Sequence, residues 1–260
     1  MATTLSTVDV DDLRGRVTDM YRKVAREPAG EFHFEMGRAL AERLGYRAED
    51  LDRIPPESVE SFAGVGYYFD LADLSEGETV LDLGSGSGMD TFVAALRVGS
   101  AGSVIGIDMT DAQLDKAALL RDQAGFRNIS YRTGLIEELP VDDASVDVVI
   151  SNGVINLCPD KPRVFEEINR VLRPDGRMAI ADIVTEEELP ASVTCDATLW
   201  AACIGGAAQQ NRYRDAIEAA GLRVDSVKEN PRYGFLSKSA RGASRQYGVK
   251  SVSLLATKPA

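Results

Sequence analysis

The residues that could do chemistry lie in four short stretches. The first is Val80-Leu81-Asp82-Leu83-Gly84-Ser85-Gly86-Ser87-Gly88, a strand-like run opening into glycines at alternate positions. Glycine takes positive φ without penalty and lets a ligand approach the backbone. A helical pattern follows at once, with Met89, Phe92, Val93 and Leu96 on one face, and its first N–H groups are free for electron-rich atoms. The second stretch, Ser103-Val104-Ile105-Gly106-Ile107-Asp108, ends in an acid. That acid follows the turn by about twenty residues, the spacing of a ribose-binding carboxylate in doubly wound nucleotide folds. The turn reads G-x-G-x-G, not the G-x-G-x-x-G of the dinucleotide fingerprint. Together these stretches describe a cradle for a small molecule carrying a nucleoside. The third and fourth are Gly134-Leu135-Ile136-Glu137 and Ser151-Asn152-Gly153-Val154-Ile155-Asn156-Leu157-Cys158.

Strands must position all four. Thr79 to Leu83, Val104 to Asp108, Ile129 to Thr133, Val146 to Ser151 and Met178 to Val184 are short apolar runs, as in a sheet buried on both faces. Helical patterns alternate with them: Met89 to Val98, Asp111 to Ala124, Val164 to Leu172 and Arg212 to Ala220. Alternation of this kind predicts an α/β doubly wound parallel sheet, whose ligands lie outside the carboxyl ends of the strands. Upstream, Asp11 to Arg26 and Arg38 to Leu44 read as helices, and Ala63 to Phe69 as an aromatic, glycine-containing loop. Residues 1–70 are therefore expected to form an N-terminal helical cap or lid, and residues 71–260 the ligand-binding domain. The cap holds Phe32-His33-Phe34, with the only histidine of the chain.

Bulk properties narrow the partners. The chain has 260 residues, is 44% apolar and carries a net charge of −12. That suits one large domain with an ample core and argues against nucleic acid or an anionic membrane, which need clustered cations. No run has the length of a membrane span, and residues 1–10 lack the pattern of a signal peptide. Three cysteines, an odd number, read as thiols in a reducing cytoplasm. A monomer or homodimer is expected, and no metal-ligand set is read. Arg232, Lys238, Arg241, Arg245 and Lys250 make the C-terminal region locally basic, as a solvated face or as a holder for a phosphate or carboxylate.

With its Val80-to-Gly88 turn and Asp108, the chain resembles the class I S-adenosylmethionine (SAM)-dependent methyltransferases. The resemblance implies a Rossmann-like seven-stranded methyltransferase sheet, its last two strands (Leu222 to Lys228 and Ser251 to Thr257) forming an antiparallel hairpin. It implies SAM as cofactor and S-adenosylhomocysteine as product. Asp82, Gly84, Ser85, Gly86 and Gly88 would cradle the methionine part, with Asn152 beside its amino-acid tail. Asp108 would accept from both ribose hydroxyls, Met109 would pack on the adenine, and Ile136 and Glu137 would meet its edge.

Ser151 to Lys161, Gly134 to Glu137 and Cys203-Ile204-Gly205-Gly206-Ala207 are similar to the arsenite methyltransferase family in particular. That family binds arsenic(III) through three cysteines: one N-terminal, one after Ser-Asn at the end of strand four, and one in Cys-x-Gly-Gly. Only Cys203 carries over. The strand-four position is Gly153, and no cysteine precedes Cys158. The expected acceptor is therefore a small organic molecule, such as a natural-product intermediate. It would be lined by Phe32, Phe34, Tyr67, Tyr68, Asn156 and Trp200, with His33 as base where one is needed. The alternative is arsenite methylation through Cys203 and a relocated thiol set from Cys158 and Cys195. A third reading is a non-catalytic SAM-binding regulator.

Overall fold

The computed structural model describes residues 9–194, 200, 204–236 and 238–260. Helix α1 (Val10–Arg26) begins where the Asp9 carboxylate accepts from the Asp11 and Asp12 N–H groups, and Lys23 and Arg26 complement its last turn. Short helices follow: α2 (Arg38–Leu44), α3 (Ala48–Leu51), α4 (Pro56–Glu60) and α5 (Phe69–Ala72). The alternating core then runs β1 (Thr79–Leu83), α6 (Met89–Val98), β2 (Ser103–Asp108), α7 (Asp111–Ala124), β3 (Ile129–Thr133), β4 (Val146–Asn152), α8 (Lys161–Val171) and β5 (Leu172–Thr185). It closes with α9 (Ala191–Thr194), β6 (Ala208–Gln209), α10 (Gln210–Ala219), β7 (Arg223–Glu229), α11 (Lys238–Tyr247) and β8 (Lys250–Thr257).

The sheet order is β3-β2-β1-β4-β5-β8-β7, with the two-residue β6 beside β5. β1 to β5 are parallel, and β8 runs antiparallel between β5 and β7. The chain winds outward from β1 to β3 and then crosses to β4, so the switch point lies between β1 and β4. Both sheet faces are covered, as near-continuously apolar strands require. Val80 of β1 belongs to one buried cluster with Phe92, Val93 and Leu120. Leu81, its neighbour on the strand, belongs to a second cluster with Phe165, Ile168 and Ile217. The N-terminal segment joins the first of these cores, since Leu13, Val17, Leu40, Leu51 and Phe62 share one cluster with Phe92.

Most element ends fall within one to three residues of those expected, and two differences are larger. β5 starts at Leu172, because Asp175 takes a left-handed conformation and its N–H bonds Lys258 O at 3.0 Å, keeping Pro174-Asp175-Gly176 on the sheet edge. The basic stretch after residue 237 is a helix, α11. Among the described residues, no helix is long and apolar enough to cross a membrane.

Candidate functional site

At the switch point, the β1–α6 turn takes its shape from glycine. Gly84 (φ +67°) and Gly86 (φ +54°) are left-handed. A Cβ on Gly84 would fall 2.4 Å from a Val154 methyl, whereas one on Gly86 would meet only Gln113 Oε1, at 3.8 Å. Gly86 thus leaves open space above it. That space is part of a cavity of about 1090 Å³, including its mouth, lined by the ends of β1, β2 and β4 and by α1. The volume suits a nucleoside-sized ligand.

Asp108 lies at the rim between β2 and the turn. One carboxylate oxygen accepts from Gly86 N–H at 3.0 Å and the other from Thr110 N–H at 2.8 Å. Burial pushes its carboxyl upward, and those two N–H groups hold it back. Two further lone pairs remain for a ligand. The Ser85 hydroxyl is buried on the same lining with no protein partner, a polar atom that a ligand would satisfy.

A second acid cluster lies beneath the turn. Asp90 accepts from Tyr46 OH at 2.6 Å, Tyr68 OH at 2.7 Å and Asn152 Nδ2 at 3.0 Å. Asn152 Oδ1 in turn accepts from Val65 N–H at 2.7 Å and Gly66 N–H at 3.3 Å. One side chain at the end of β4 therefore ties the N-terminal segment to the core. Asp82, bonded to Thr91 Oγ1 at 2.6 Å, is pushed up to about 8 by burial and by neighbouring Asp90.

Helix α1 forms the roof. Arg14 Nη2 reaches Glu137 Oε1 at 3.1 Å. Gln113 Nε2 donates to Tyr21 O at 2.9 Å while its Oε1 accepts from Ser87 Oγ. Val17, Tyr21, Ser61 and Phe62 complete this side.

Of the residues singled out in the sequence, the cavity brings together Asp82, Gly84, Ser85, Gly86, Asp108, Met109, Ile136, Glu137 and Asn152. Gly88 is off the lining, since a Cβ there would strike the Tyr131 hydroxyl at 2.4 Å, so close packing fixes that glycine. The expected aromatic acceptor pocket is not assembled on this cavity. Phe32 and Phe34 stack on each other, Phe34 stacks on Tyr21, and His33 meets the Phe34 edge at 4.7 Å. Only Tyr21 of this group reaches the cavity. Tyr67 packs edge-on to Tyr46 at 5.1 Å, and Tyr68 is fully buried on Asp90. Asn156 is also fully buried; oriented to satisfy both ends, its amide donates to Gly153 O and to Asp182 Oδ1. Trp200 is buried, with Nε1 donating to Thr194 O at 2.7 Å and its ring 5.0 Å from Lys161 Nζ. Cys195 and Cys203 lie outside the described residues.

Lining residues not singled out in the sequence include Arg14, Tyr21, Asp90 and Gln113, and the strand-four stretch adds Val154 and Cys158. The signal for Asp90 was an acid in the first turn of a mostly apolar helix. Cys158 is 5% exposed, and burial together with the Glu137 carboxylate pushes its thiol up.

Comparison with known proteins agrees with this geometry. A family profile described as "Methyltransferase domain" matches residues 74–221. The chain is 42% identical over 187 residues to an arsenite methyltransferase of Halobacterium salinarum, covering 72% of this chain and 48% of that one. It is 41% identical to an arsenite methyltransferase of Aquipseudomonas alcaligenes, covering 69% and 54%. The chain thus spans about half the length of these curated relatives. A solved structure of an arsenic(III) S-adenosylmethionine methyltransferase from Chlamydomonas reinhardtii superposes with a TM-score of 0.63 at 32% identity, covering 87% of this chain and 75% of that one.

Proposed function

Since the chain belongs to the class I SAM-dependent methyltransferases, close to the arsenite methyltransferases, we propose that its switch-point cavity binds SAM and that it methylates a trivalent arsenic species. The observation that carries the cofactor assignment is Asp108 beside the side-chain-free space over Gly86. Asp108 would hold the ribose, Met109 and Ile136 the adenine faces, Glu137 its amine, and the Asp82–Ser85 end of the turn the methionine part. When bound, SAM supplies a methyl group on a cationic sulfur. The chain aligns the acceptor and excludes water, which is the work of α1 and of the Gly64 to Gly66 loop pinned by Asn152. An arsenic lone pair has no proton to lose in this step, so a base is not required, in keeping with the placing of His33 off the cavity.

Arsenic(III) is soft and three-coordinate and selects thiolates. Cys158 on the cavity wall is one candidate ligand; Cys195 and Cys203 are the other two. Trp200 and Gly206, on either side of Cys203 in sequence, pack against Lys161 at the start of α8 and Asn156, which flank Cys158. A reducing cytoplasm keeps such thiols available. Because the Cys158 thiol is pushed up, arsenic uptake must displace its proton and is favoured as pH rises.

A specific observation favours the second reading, a small organic acceptor. Gly153 stands where the family's strand-four thiol would be, and a Cβ there would already lie 3.0 Å from a Val65 methyl. The two readings separate in one assay: methyl transfer from labelled SAM to arsenite in excess thiol, for the wild type and for the Cys158→Ser/Cys195→Ser/Cys203→Ser variant. Methylated arsenic from the wild type alone, with SAM affinity retained in the variant, is expected. No arsenic product from a wild type that binds SAM overturns the arsenic acceptor and leaves the organic one.

The raised Asp82 carboxyl gives a pH signature. Its folded value, about 8, lies above the unfolded value near 3.9. Its contribution to stability is therefore present at low pH and is lost as pH rises from about 4 to 8. A cation bound in the cavity favours the carboxylate, so SAM uptake near pH 7 is expected to release a proton. S-adenosylhomocysteine, without the sulfonium charge, should release less. Calorimetry in buffers of different ionisation enthalpy reads this directly; an equal proton count for the two ligands would place the cation away from Asp82.

A further inference from the structure

A second cavity, of about 850 Å³ of empty space, opens where the carboxyl end of β7, the start of β8 and α11 meet. Val65 lies between Asn152 of the first cavity's lining and Ser251 of the second's. Val65 N–H bonds Asn152 on one side, and Val65 O accepts from Ser251 Oγ at 2.6 Å on the other. On the second-cavity side, Asn230 Nδ2 bonds the same Ser251 hydroxyl at 2.9 Å. This wall is fixed from both sides, so the cavities are separate compartments.

The second compartment has a different chemistry. Tyr233 and Phe235 meet edge-to-face at 5.2 Å on its lining. Three cations and one carboxylate face it: Arg241, Arg245, Lys250 and Glu229. Lys250 is balanced, with Nζ 2.6 Å from Glu229 and 2.8 Å from Glu186. Arg241 and Arg245 are one turn apart on α11. Neither guanidinium has an ion pair or hydrogen bond with another described residue. In a chain of net charge −12, two guanidinium groups without a partner among the described residues, on the same lining as an aromatic pair, form a local cationic and apolar site. Guanidinium binds carboxylate, sulfonate and phosphate oxygens in bidentate fashion, and the two rings offer faces and edges to an apolar body.

We propose that this cavity binds a small organic anion, an acidic group carried on an aromatic or apolar body, at the same time as the first cavity holds its own ligand. The proposal stands independently of which acceptor is methylated.

The probe is 8-anilinonaphthalene-1-sulfonate, an aromatic sulfonate, followed by fluorescence with and without saturating S-adenosylhomocysteine. Its uncharged congener N-phenyl-1-naphthylamine is the control. Wild-type protein is expected to bind the sulfonate with S-adenosylhomocysteine present. Arg241→Gln/Arg245→Gln should weaken that binding by about tenfold or more, as loss of two charge-assisted contacts implies, and leave the uncharged congener unaffected. Tyr233→Leu/Phe235→Leu should weaken both probes. The thermal midpoint and the S-adenosylhomocysteine affinity of the arginine variant, measured alongside, establish that it is folded. Equal sulfonate affinity in wild type and the arginine variant would overturn the proposal. So would complete displacement of the sulfonate by S-adenosylhomocysteine, which would assign the probe to the first cavity.

Discussion

Asp108→Ala is expected to weaken SAM binding by at least a hundredfold while the protein stays folded. Two ribose hydroxyls donating to one carboxylate are worth roughly 1.5–3 kcal/mol each, so about 3–6 kcal/mol is lost. The same side chain holds Gly86 N–H and Thr110 N–H, so the turn loosens as well. Asp108→Asn separates the two effects. It keeps an acceptor for Thr110 but turns an amide N–H toward Gly86 N–H and removes the charge, and it should still cost tenfold or more. Calorimetry measures both variants, and circular dichroism checks their folding. Unchanged affinity in folded Asp108→Ala would remove Asp108 from the ligand site.

Gly86→Val is expected to abolish detectable SAM binding. The β-branched side chain would project into the space that only Gln113 Oε1 borders, at 3.8 Å. At φ +54° it would also carry about 1–3 kcal/mol of backbone strain. A modest drop in thermal midpoint with total loss of binding is the predicted pair of results. Gly86→Ala should fall between, with the same strain and less obstruction. Normal binding by the valine variant would mean that the turn does not face the ligand.

Local signals made much of this molecule legible. Gly84 and Gly86 are needed for positive φ within a few residues of their own strand, and Asp108 ends a strand whose apolar run announces it. The alternation of β1 to β5 with α6 to α8 follows from period and punctuation alone. The order of β8 and β7 in the sheet was available only through family resemblance. The roof of the cavity was not legible, because Arg14 meets Glu137 across 123 positions of sequence and nothing local to either residue specifies that encounter. The aromatic segment misled for a related reason. Phe32, His33 and Phe34 have the composition of a pocket wall, but the chain folds them back onto the preceding helix, α1, at Tyr21. Tyr68 looked like a lining residue, yet its hydroxyl is turned inward as one of three donors to the buried Asp90, a group whose burial demands such partners. Asn152 was read as a neighbour of the ligand, and it also pins the Val65–Gly66 wall.

The central claim is that the cavity between β1, β2 and β4 holds SAM. A crystal structure of the protein with S-adenosylhomocysteine tests it most directly. The account predicts the ribose hydroxyls on the Asp108 carboxylate, the adenine between Met109 and Ile136, and the homocysteine chain over Gly84 to Gly86. A ligand bound elsewhere, or one in this cavity with its ribose turned away from Asp108, would contradict it.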